Sequence, residues 1–123
     1  METGLTYTST VTVSEENIAA TMGSGDLEVF ATPAMVALME NAAMNAVVGE
    51  LSEGATTVGA MMNTTHIKPS AMGDTVSATA VLKEVEGRKL TFEVHAKDSK
   101  GVIGEGMHVR YIVDREKFMS KLS

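Results

Sequence analysis

The stretch TPAMVALMENAAMNAVVGELSE, residues 32–53, decides the fold of this chain. Its first part, TPAMVALMENAAMNAV, contains one charged side chain, Glu40, and is otherwise uncharged and largely apolar. A helix that is apolar on all sides is a buried helix. Thr32 is the predicted N-cap, Pro33 fills the first helical position, where its missing N–H costs nothing, and Gly54 ends the helix. We therefore expect one long helix that the rest of the chain encloses.

Runs rich in β-forming residues lie on both sides of this helix. Before it, residues 5–13 (LTYTSTVTV) alternate Thr and Val and predict a first strand. After it come four runs separated by short breaks, which predict antiparallel neighbours because short turns cannot join parallel strands. The closing segment DREKFMSKL predicts a terminal helical turn. The four runs are ATTVGAMMNTTHIKPS (55–70), DTVSATAVLKEVE (74–86), RKLTFEVHAKD (88–98) and VIGEGMHVRYIVD (102–114).

The order strand, long helix, four strands indicates the fold class. One helix and one antiparallel sheet must bury each other's apolar faces. We therefore expect an α+β hot-dog fold, in which a five-stranded antiparallel sheet wraps a long central helix, in one domain over residues 1–123. One such chain leaves part of the helix and a sheet edge uncovered. A homodimer is therefore expected, which could assemble further into a dimer of dimers.

The composition excludes several classes of function. The formal net charge of -6 argues against a nucleic-acid partner, because phosphate binding needs a basic surface. The absence of cysteine excludes disulfides, thiolate metal sites and cysteine nucleophiles, and it fits a cytoplasmic location. The N-terminal METGLTYTST has no apolar core, so no signal peptide is expected. No apolar run approaches the roughly 20 residues of a membrane span.

Methionine is abundant in the chain, with ten residues, whereas tryptophan is absent. Methionine fills irregular apolar space and adapts to varied shapes. Two interpretations stay open: a core padded with methionine, or a flexible pocket for an acyl group. The candidates for such a pocket lining are Met35, Met39, Met44, Met61 and Met62.

Glu40 is the strongest candidate for a functional residue. Burying an unpaired carboxylate costs several kcal/mol, or else raises its pKa until the group is neutral. The functional interpretation is a catalytic carboxylate on the helix. The alternative is a carboxylate at a helix end or a dimer surface, paired with Lys or Arg.

His66 and Thr32 are the next candidates. His66 lies in NTTHIKP, on the face that Thr64 and Met62 share, and is predicted to point toward the helix. A lone histidine there is usually a hydrogen-bonded core residue, but a nearby glutamate makes an acid–base pair that works near neutral pH. Thr32 is first of all a helix cap. The free N–H groups that begin at Ala34 could also stabilise a developing oxyanion.

The spacing along the helix constrains how these residues can act together. Thr32 and Glu40 are eight residues apart, which is about 12 Å along a continuous helix. They cannot both touch one reacting carbon from the same helix. If both act in one site, either different subunits supply them or the helix begins late. We therefore predict a site that straddles a dimer interface.

The remaining polar candidates carry weaker signals. Alternation predicts that His95 faces outward and that His108 and Arg110 share a face. Glu40, His66 and His108 could bind a metal, but no short ligand spacing supports this, so no metal is expected. No glycine-rich phosphate loop is present. Candidates for contacts with coenzyme A phosphates, each of which could equally be an ordinary solvated charge, are Arg110, Lys68, Arg88 and Lys89.

Several segments together resemble the fluoroacetyl-CoA thioesterase-like family of hot-dog proteins. They are ATPAMVALMENAA, NTTHIKPS, VEGRKLTFEVHAKD and GEGMHVRYIVDREKF, and the resemblance covers nearly the whole chain. The family's catalytic set is Thr, Glu and His, and the matching positions are Thr32 in FATPAM, Glu40 in ALMEN and His66 in TTHIKP. The resemblance also implies that Gly59 and Arg110 lie near the acyl pocket. It further implies a homodimer that acts on coenzyme A thioesters.

The resemblance leaves the acyl group open. The fluoroacetate-specialised enzyme has an aromatic lid before the helix, where TMGSGDLEVF offers only Phe30. The expected activity is hydrolysis of a small acyl-CoA thioester without a cofactor, since coenzyme A is part of the substrate. Ala34 and Lys68 are expected to join Gly59 and Arg110 in binding it. The alternatives are a non-catalytic acyl-CoA sensor and a hydratase or dehydratase on the same fold.

Overall fold

A computed structural model describes all residues from Met1 to Ser123. The elements follow one another along the chain as a strand, a short helix, a long helix, four strands and a short terminal helix. The terminal helix confirms the predicted helical turn. The elements are β1 (Thr6–Thr12), α1 (Ala19–Met22), α2 (Thr32–Val47), β2 (Ala55–Thr64), β3 (Thr75–Glu86), β4 (Lys89–Asp98), β5 (Gly101–Asp114) and α3 (Arg115–Ser120).

The five strands form one antiparallel sheet in the order β1-β3-β4-β5-β2, with α2 packed against one face. The predicted alternation is confirmed in β4 and in β3 as far as Leu82, after which the register shifts and no side chain of β3 is buried. The prediction that β2 and β3 are neighbours was wrong. Strand β2 pairs with β5, because residues 65–74 form a long connection that carries the chain to the other side of the sheet. Ala78, Ala80 and Ala96 face Ala42 and Ala43 of the helix within one core. These small side chains allow the helix to lie close to the sheet. The hot-dog fold is therefore confirmed.

The beginning and end of α2 differ from the prediction. Ala31 is the N-cap in extended conformation, and no side chain caps the helix, so the prediction that Thr32 is the cap was wrong. Thr32 is the first helical residue, which frees its hydroxyl for another partner. The regular helix ends at Val47 and continues only as a 3-10 turn over Val48–Glu50, before the predicted end at residue 53.

The helix is not covered on every side within one chain. Met35 and Met39 are fully buried, whereas Met44 and Val48 are 37% and 57% exposed. Ala37 is also exposed. The prediction of a helix enclosed on all sides is therefore corrected to a helix with one open, largely apolar face. Strand β2 lies at an edge of the sheet. One chain therefore leaves uncovered both of the expected surfaces, part of the helix and a sheet edge.

Strand β2 is shorter and less regular than predicted. It ends at Thr64 and not at residue 70, so His66 lies in an extended segment after the strand. The register with β5 shifts between Gly59 and Met61, which leaves Ala60 as the extra residue of a bulge. Bulges re-aim the side chains and carbonyl groups beside them.

Two glycines of β5 allow this extended segment to cross the sheet. A Cβ at Gly104 would meet the Thr65 carbonyl oxygen, and one at Gly106 would meet the Asn63 carbonyl oxygen. Backbone hydrogen bonds from Thr65 to Glu105 (3.0 Å) and from Ile67 to Ile103 (2.7 Å) then hold the segment. The chain can therefore follow this path before and after His66 only because Gly104 and Gly106 of β5 have no side chains.

Replacing Gly106 by alanine is expected to destabilise the protein by about 1–3 kcal/mol or more, because the added methyl group collides with backbone that cannot swing away. Chemical denaturation measures this change. Gly49→Ala is the control, since a Cβ at Gly49 meets nothing within 4 Å, and its effect should be small or stabilising. Equal stabilities of the two variants would contradict the steric explanation.

None of the helices combines the length with the apolar character that crossing a bilayer would require.

Candidate active site

Thr32 and His66 form a direct hydrogen bond at the start of α2. The Thr32 Oγ1 and His66 Nδ1 atoms lie 2.7 Å apart. Thr32 is placed by the first turn of the helix, and His66 by the segment that crosses β5. Because Nδ1 can accept the hydroxyl hydrogen, this pair can activate the Thr32 oxygen or exchange a proton with a group bound next to it.

The environment of His66 favours the neutral imidazole. Burial lowers the pKa of His66 below its ordinary value of 6.5, and a backbone contact with Lys68 opposes this only in part. Its second ring nitrogen, Nε2, is buried and has no hydrogen-bond partner within the chain. A neutral histidine with one free nitrogen can pass a proton between Thr32 and another group.

A buried carboxylate anchors the segment that carries His66. Asp98 at the end of β4 accepts hydrogen bonds from the Ser70 hydroxyl (2.7 Å) and the Lys100 backbone N–H (2.8 Å). Lys68 Nζ lies 3.6 Å from the same carboxylate. Burial by itself would raise the pKa of Asp98, but the contacts with Ser70, Lys100 and Lys68 outweigh it and hold the pKa below 3.8. Lys68 therefore binds Asp98 in the structure, beside the cleft described below.

Glu40 lies two helical turns farther along α2, beside strand β2. A Cβ placed on Gly59 would lie 2.8 Å from Glu40 Oε2, so the glycine leaves room for the carboxylate. The side chain is half-buried and belongs to neither of the two ion pairs of the chain, Lys68–Asp98 and Lys83–Glu93. Glu40 is therefore an unpaired carboxylate at the edge of the core.

Arg110 and His108 lie under Glu40 and Gly59. Arg110 is only 6% exposed, and its guanidinium donates to Thr57 Oγ1 and the Thr57 carbonyl oxygen, each at 2.9 Å. His108 is 1% exposed and bonds the Met61 carbonyl oxygen through Nδ1 at 2.7 Å. The prediction that His108 and Arg110 share a face is confirmed. The structure places Arg110 in the interior and not on a surface that coenzyme A phosphates would meet.

The structure thus contains two separate groups of candidate residues. Thr32 and His66 lie at the start of α2, and Glu40, Gly59 and Arg110 lie farther along it. Eight helical residues separate Thr32 from Glu40, a rise of about 12 Å, as expected from the sequence. One chain does not bring all three predicted catalytic residues to one point.

Two clefts border the helix. One of about 270 Å³ opens beside Thr32 and His66 and is lined on its other side by Val29, Lys68 and Pro69. The second, of about 370 Å³ and mostly apolar, follows the first turns of α2. Its helix side is formed by Ala34, Ala37, Leu38 and Asn41. Ala34 therefore borders the apolar cleft, next to the pair formed by Thr32 and His66.

The other sequence candidates lie outside these groups. His95 alternates with buried residues of β4 and points outward, as predicted. Arg88 is exposed in the turn before β4 and Lys89 begins that strand. Met35 and Met39 belong to the core, which supports the padding interpretation for those two methionines. Met44 and Met61 are exposed and Met62 is half-buried, so these three remain available to a pocket.

The three possible metal ligands are divided between the two groups. His66 binds Thr32, whereas His108 lies beside the cationic Arg110 and Glu40. No set of three or more His, Asp or Glu side chains is close enough to hold a metal ion.

Sequence reasoning missed Thr57 and Asp98. Thr57 stood within a β-rich run, and Asp98 preceded a turn, a position in which a solvated aspartate is ordinary. Each residue takes its role from a partner that is distant in the sequence, Arg110 for Thr57 and Ser70 for Asp98. The one available signal was the burial of Arg110, which requires an acceptor for its N–H groups.

Comparisons with known proteins give matches over most of the chain. A model of the fluoroacetyl-CoA-specific thioesterase family matches residues 13–116. The fluoroacetyl-CoA thioesterase of Streptantibioticus cattleyicolor is 42% identical over 95 residues, which cover 77% of this chain and 68% of that protein. The family model spans Thr32, Glu40 and His66.

Solved structures show the same similarity. A phenylalanine-to-alanine mutant of the fluoroacetyl-CoA-specific thioesterase FlK, in complex with fluoroacetate and CoA, superposes with a TM-score of 0.90. It is 35% identical, and the match covers 96% of this chain and 99% of the other. A thioesterase superfamily member from Thermus thermophilus, at 24% identity, has a TM-score of 0.90 over 98% of this chain and 90% of its own. That second match supports the fold alone.

Proposed function

We propose that this chain, which belongs to the fluoroacetyl-CoA-specific thioesterase family, hydrolyses acyl-coenzyme A thioesters. The observation that carries the proposal is the 2.7 Å contact between Thr32 Oγ1 and His66 Nδ1, on the helix that also bears Glu40. Threonine, glutamate and histidine provide a hydroxyl, a carboxylate and a proton carrier. These groups are sufficient to hydrolyse a thioester without a cofactor.

In the proposed reaction, Glu40 takes a proton from the water that attacks the thioester carbonyl, or it attacks the carbonyl itself and forms an anhydride that water then hydrolyses. The Ala34 backbone N–H stabilises the oxyanion at the positive end of the helix, since the next N–H, that of Met35, already donates to the Ala31 carbonyl oxygen at 3.0 Å. The Thr32 hydroxyl adds a second donor when His66 Nδ1 carries the hydrogen of their shared bond. The carbon–sulfur bond breaks, and His66 supplies the proton that the departing thiolate takes up. The products are a carboxylic acid and coenzyme A.

The complete site is proposed to form between two subunits of a homodimer. The helical spacing separates Thr32 from Glu40 by about 12 Å within one chain. The buried Nε2 of His66 has no partner within the chain, and the open face of α2 lies beside an edge strand. Glu40 of a second copy, brought in by pairing of these surfaces, would complete each site. A dimer of dimers is a further step of the same proposal.

A small acyl group is the proposed substrate class. The aromatic lid of the fluoroacetate-specialised enzyme has no counterpart here, because Phe30 is only 1% exposed and lies within the core. Its backbone N–H also donates to the Ser70 carbonyl oxygen at 3.0 Å, which fixes the chain before the helix. Gly59 and Arg110 are proposed to border the acyl group, and Lys68 the coenzyme A chain. The lack of cysteine accords with a cytoplasmic location. The proposed enzyme consists of one domain over residues 1–123.

A panel of acyl-CoA thioesters of increasing chain length tests the proposal, with a thiol reagent to detect free coenzyme A. We expect thiol release, fastest with short acyl groups. Addition of water to an enoyl-CoA without thiol release would indicate a hydratase. Thermal stabilisation without any turnover would indicate a sensor. Either of these two outcomes would overturn the proposal.

A further inference from the structure

His108 is a buried histidine to which the proposed reaction assigns no role. Its Nδ1 lies 2.7 Å from the Met61 carbonyl oxygen, which can only accept a hydrogen bond. Nδ1 therefore carries the hydrogen and Nε2 of the neutral ring carries a lone pair. The Met61 carbonyl reaches the ring because Met61 follows the bulge of β2.

The lone pair on Nε2 points at Arg110. Arg110 Nη1 lies 3.3 Å from His108 Nε2, and arginine is always a donor, so the guanidinium donates to the ring. Two further N–H groups of Arg110 are bound by the hydroxyl and the carbonyl of Thr57. Contacts on three of its nitrogens fix the guanidinium in one plane and one position.

The fixed guanidinium is close to Glu40 but does not bind it. Arg110 Nη1 would lie 3.4 Å from a Cβ at Gly59, and Glu40 Oε2 would lie 2.8 Å from the same point. The two atoms are therefore within about 6 Å of each other, a range in which opposite charges interact. No ion pair joins them. A direct contact would occupy the carboxylate oxygens that the proposed reaction requires.

We propose that His108 is a positioning residue, which holds Arg110 near Glu40 but out of direct contact with it. The inference rests on the proposed role of Glu40 in hydrolysis. With the His108 acceptor in place, Nη1 has a hydrogen-bond partner. The positive charge of Arg110 then stabilises the Glu40 carboxylate from a distance. Without the acceptor, a buried N–H of Nη1 is left unsatisfied, and a shift of the guanidinium toward Glu40 becomes favourable, because pairing with the carboxylate oxygens then satisfies it.

The protonation state of His108 supports this arrangement. Burial lowers the pKa of His108 below 6.5, the Met61 hydrogen bond opposes this, Arg110 lowers the pKa further and Glu40 raises it. Arg110 and Glu40 are the charged groups that act on the ring, from β5 and α2. The ring is therefore neutral at pH 7 and can accept from Arg110.

Two polar substitutions separate the two bonds of His108. The amide of His108→Asn can take the place of Nδ1 and keep the contact with Met61, but it is too short to reach Arg110. The amide of His108→Gln extends to the place of Nε2 and can accept from Arg110. Both variants stay polar and neutral, so the pair is matched.

We expect His108→Asn to lower kcat for acyl-CoA hydrolysis at least about tenfold with KM changed less than about threefold, since a displaced catalytic group affects the reaction step. His108→Gln is expected to keep at least about a third of kcat. The Arg110 Nη1–H signal in NMR spectra should remain sharp and slow to exchange in the wild type and in His108→Gln, because Nη1 is the nitrogen that donates to His108. It should broaden in His108→Asn.

The kinetic and the NMR measurements together distinguish failure of the proposed function from failure of the positioning role. If the wild type has no thioesterase activity, the proposed function fails, and the NMR signal still reports whether His108 holds Arg110. Equal kcat values for wild type and His108→Asn would overturn the positioning role, as would an unchanged Arg110 signal in that variant. A His108→Gln variant as impaired as His108→Asn would also overturn it. Thermal denaturation of both variants checks that each one is folded.

Discussion

Glu40→Gln is expected to lower kcat for acyl-CoA hydrolysis by about 10²–10⁴-fold, the usual contribution of a catalytic base. Glutamine keeps the size of the side chain and can occupy the same space beside Gly59, which leaves no room for a larger group. It cannot accept a proton from water or attack a carbonyl. Because glutamine keeps the shape of the side chain, the loss reports the chemistry of the carboxylate and not its packing.

The matched control for this change is Glu50→Gln. Glu50 lies on the exposed 3-10 turn that follows the same helix, and its substitution should leave kcat unchanged. Thiol release at saturating substrate measures both variants. A Glu40→Gln variant within about threefold of wild type would rule out Glu40 as base and as nucleophile.

His66→Ala is expected to cause the second largest loss, again about 10²-fold or more in kcat, because the departing thiolate loses its proton donor and the Thr32 hydroxyl loses its hydrogen-bond partner. The same histidine determines how the wild-type activity is expected to depend on pH. Since burial lowers the pKa of His66 below 6.5, the neutral ring that accepts a proton persists below that pH. Activity should therefore fall on the acid side with a midpoint below pH 6.5.

His95→Ala serves as the control for His66→Ala, because His95 points away from the core on the outer face of β4. Rates measured from pH 4 to 8 give both the loss in the variant and the wild-type midpoint. Full activity in His66→Ala would remove the histidine from the mechanism. A wild-type midpoint above 6.5 would instead show that the ring gains a proton more readily than its burial implies.

Much of the fold could be predicted from the sequence because it follows local patterns. The apolar stretch from residue 32 onward requires burial, and the strict alternation in β3 and β4 assigns one face to the core. Short breaks fix the antiparallel pairing of β3 with β4 and of β4 with β5, but not the place of β2, which pairs with β5. The helix boundaries were less predictable. Thr32 has the chemistry of a cap, but its hydroxyl bonds His66, which is distant in the sequence.

The candidate site was predictable only in part. Glu40 was conspicuous because a carboxylate on an apolar helix is costly, and His66 followed from the face it occupies. The role of Arg110 depends on Thr57, which is 53 residues away in the sequence, and on a bulge that alternation does not reveal. Contacts of this kind are set by sheet register. No local pattern in the chain encodes the distance between Arg110 and Glu40.

The composite site is tested most directly by mixed dimers of two inactive chains, Thr32→Ala and Glu40→Ala. The two chains carry different affinity tags, and the mixed dimer is purified through both. If each site takes Thr32 and His66 from one subunit and Glu40 from the other, one of the two symmetric sites is intact. The mixed dimer should then recover about half of wild-type kcat per dimer, while each parent stays inactive. A mixed dimer as inactive as its parents would show that all three residues act within one chain, and it would contradict the proposed interface site.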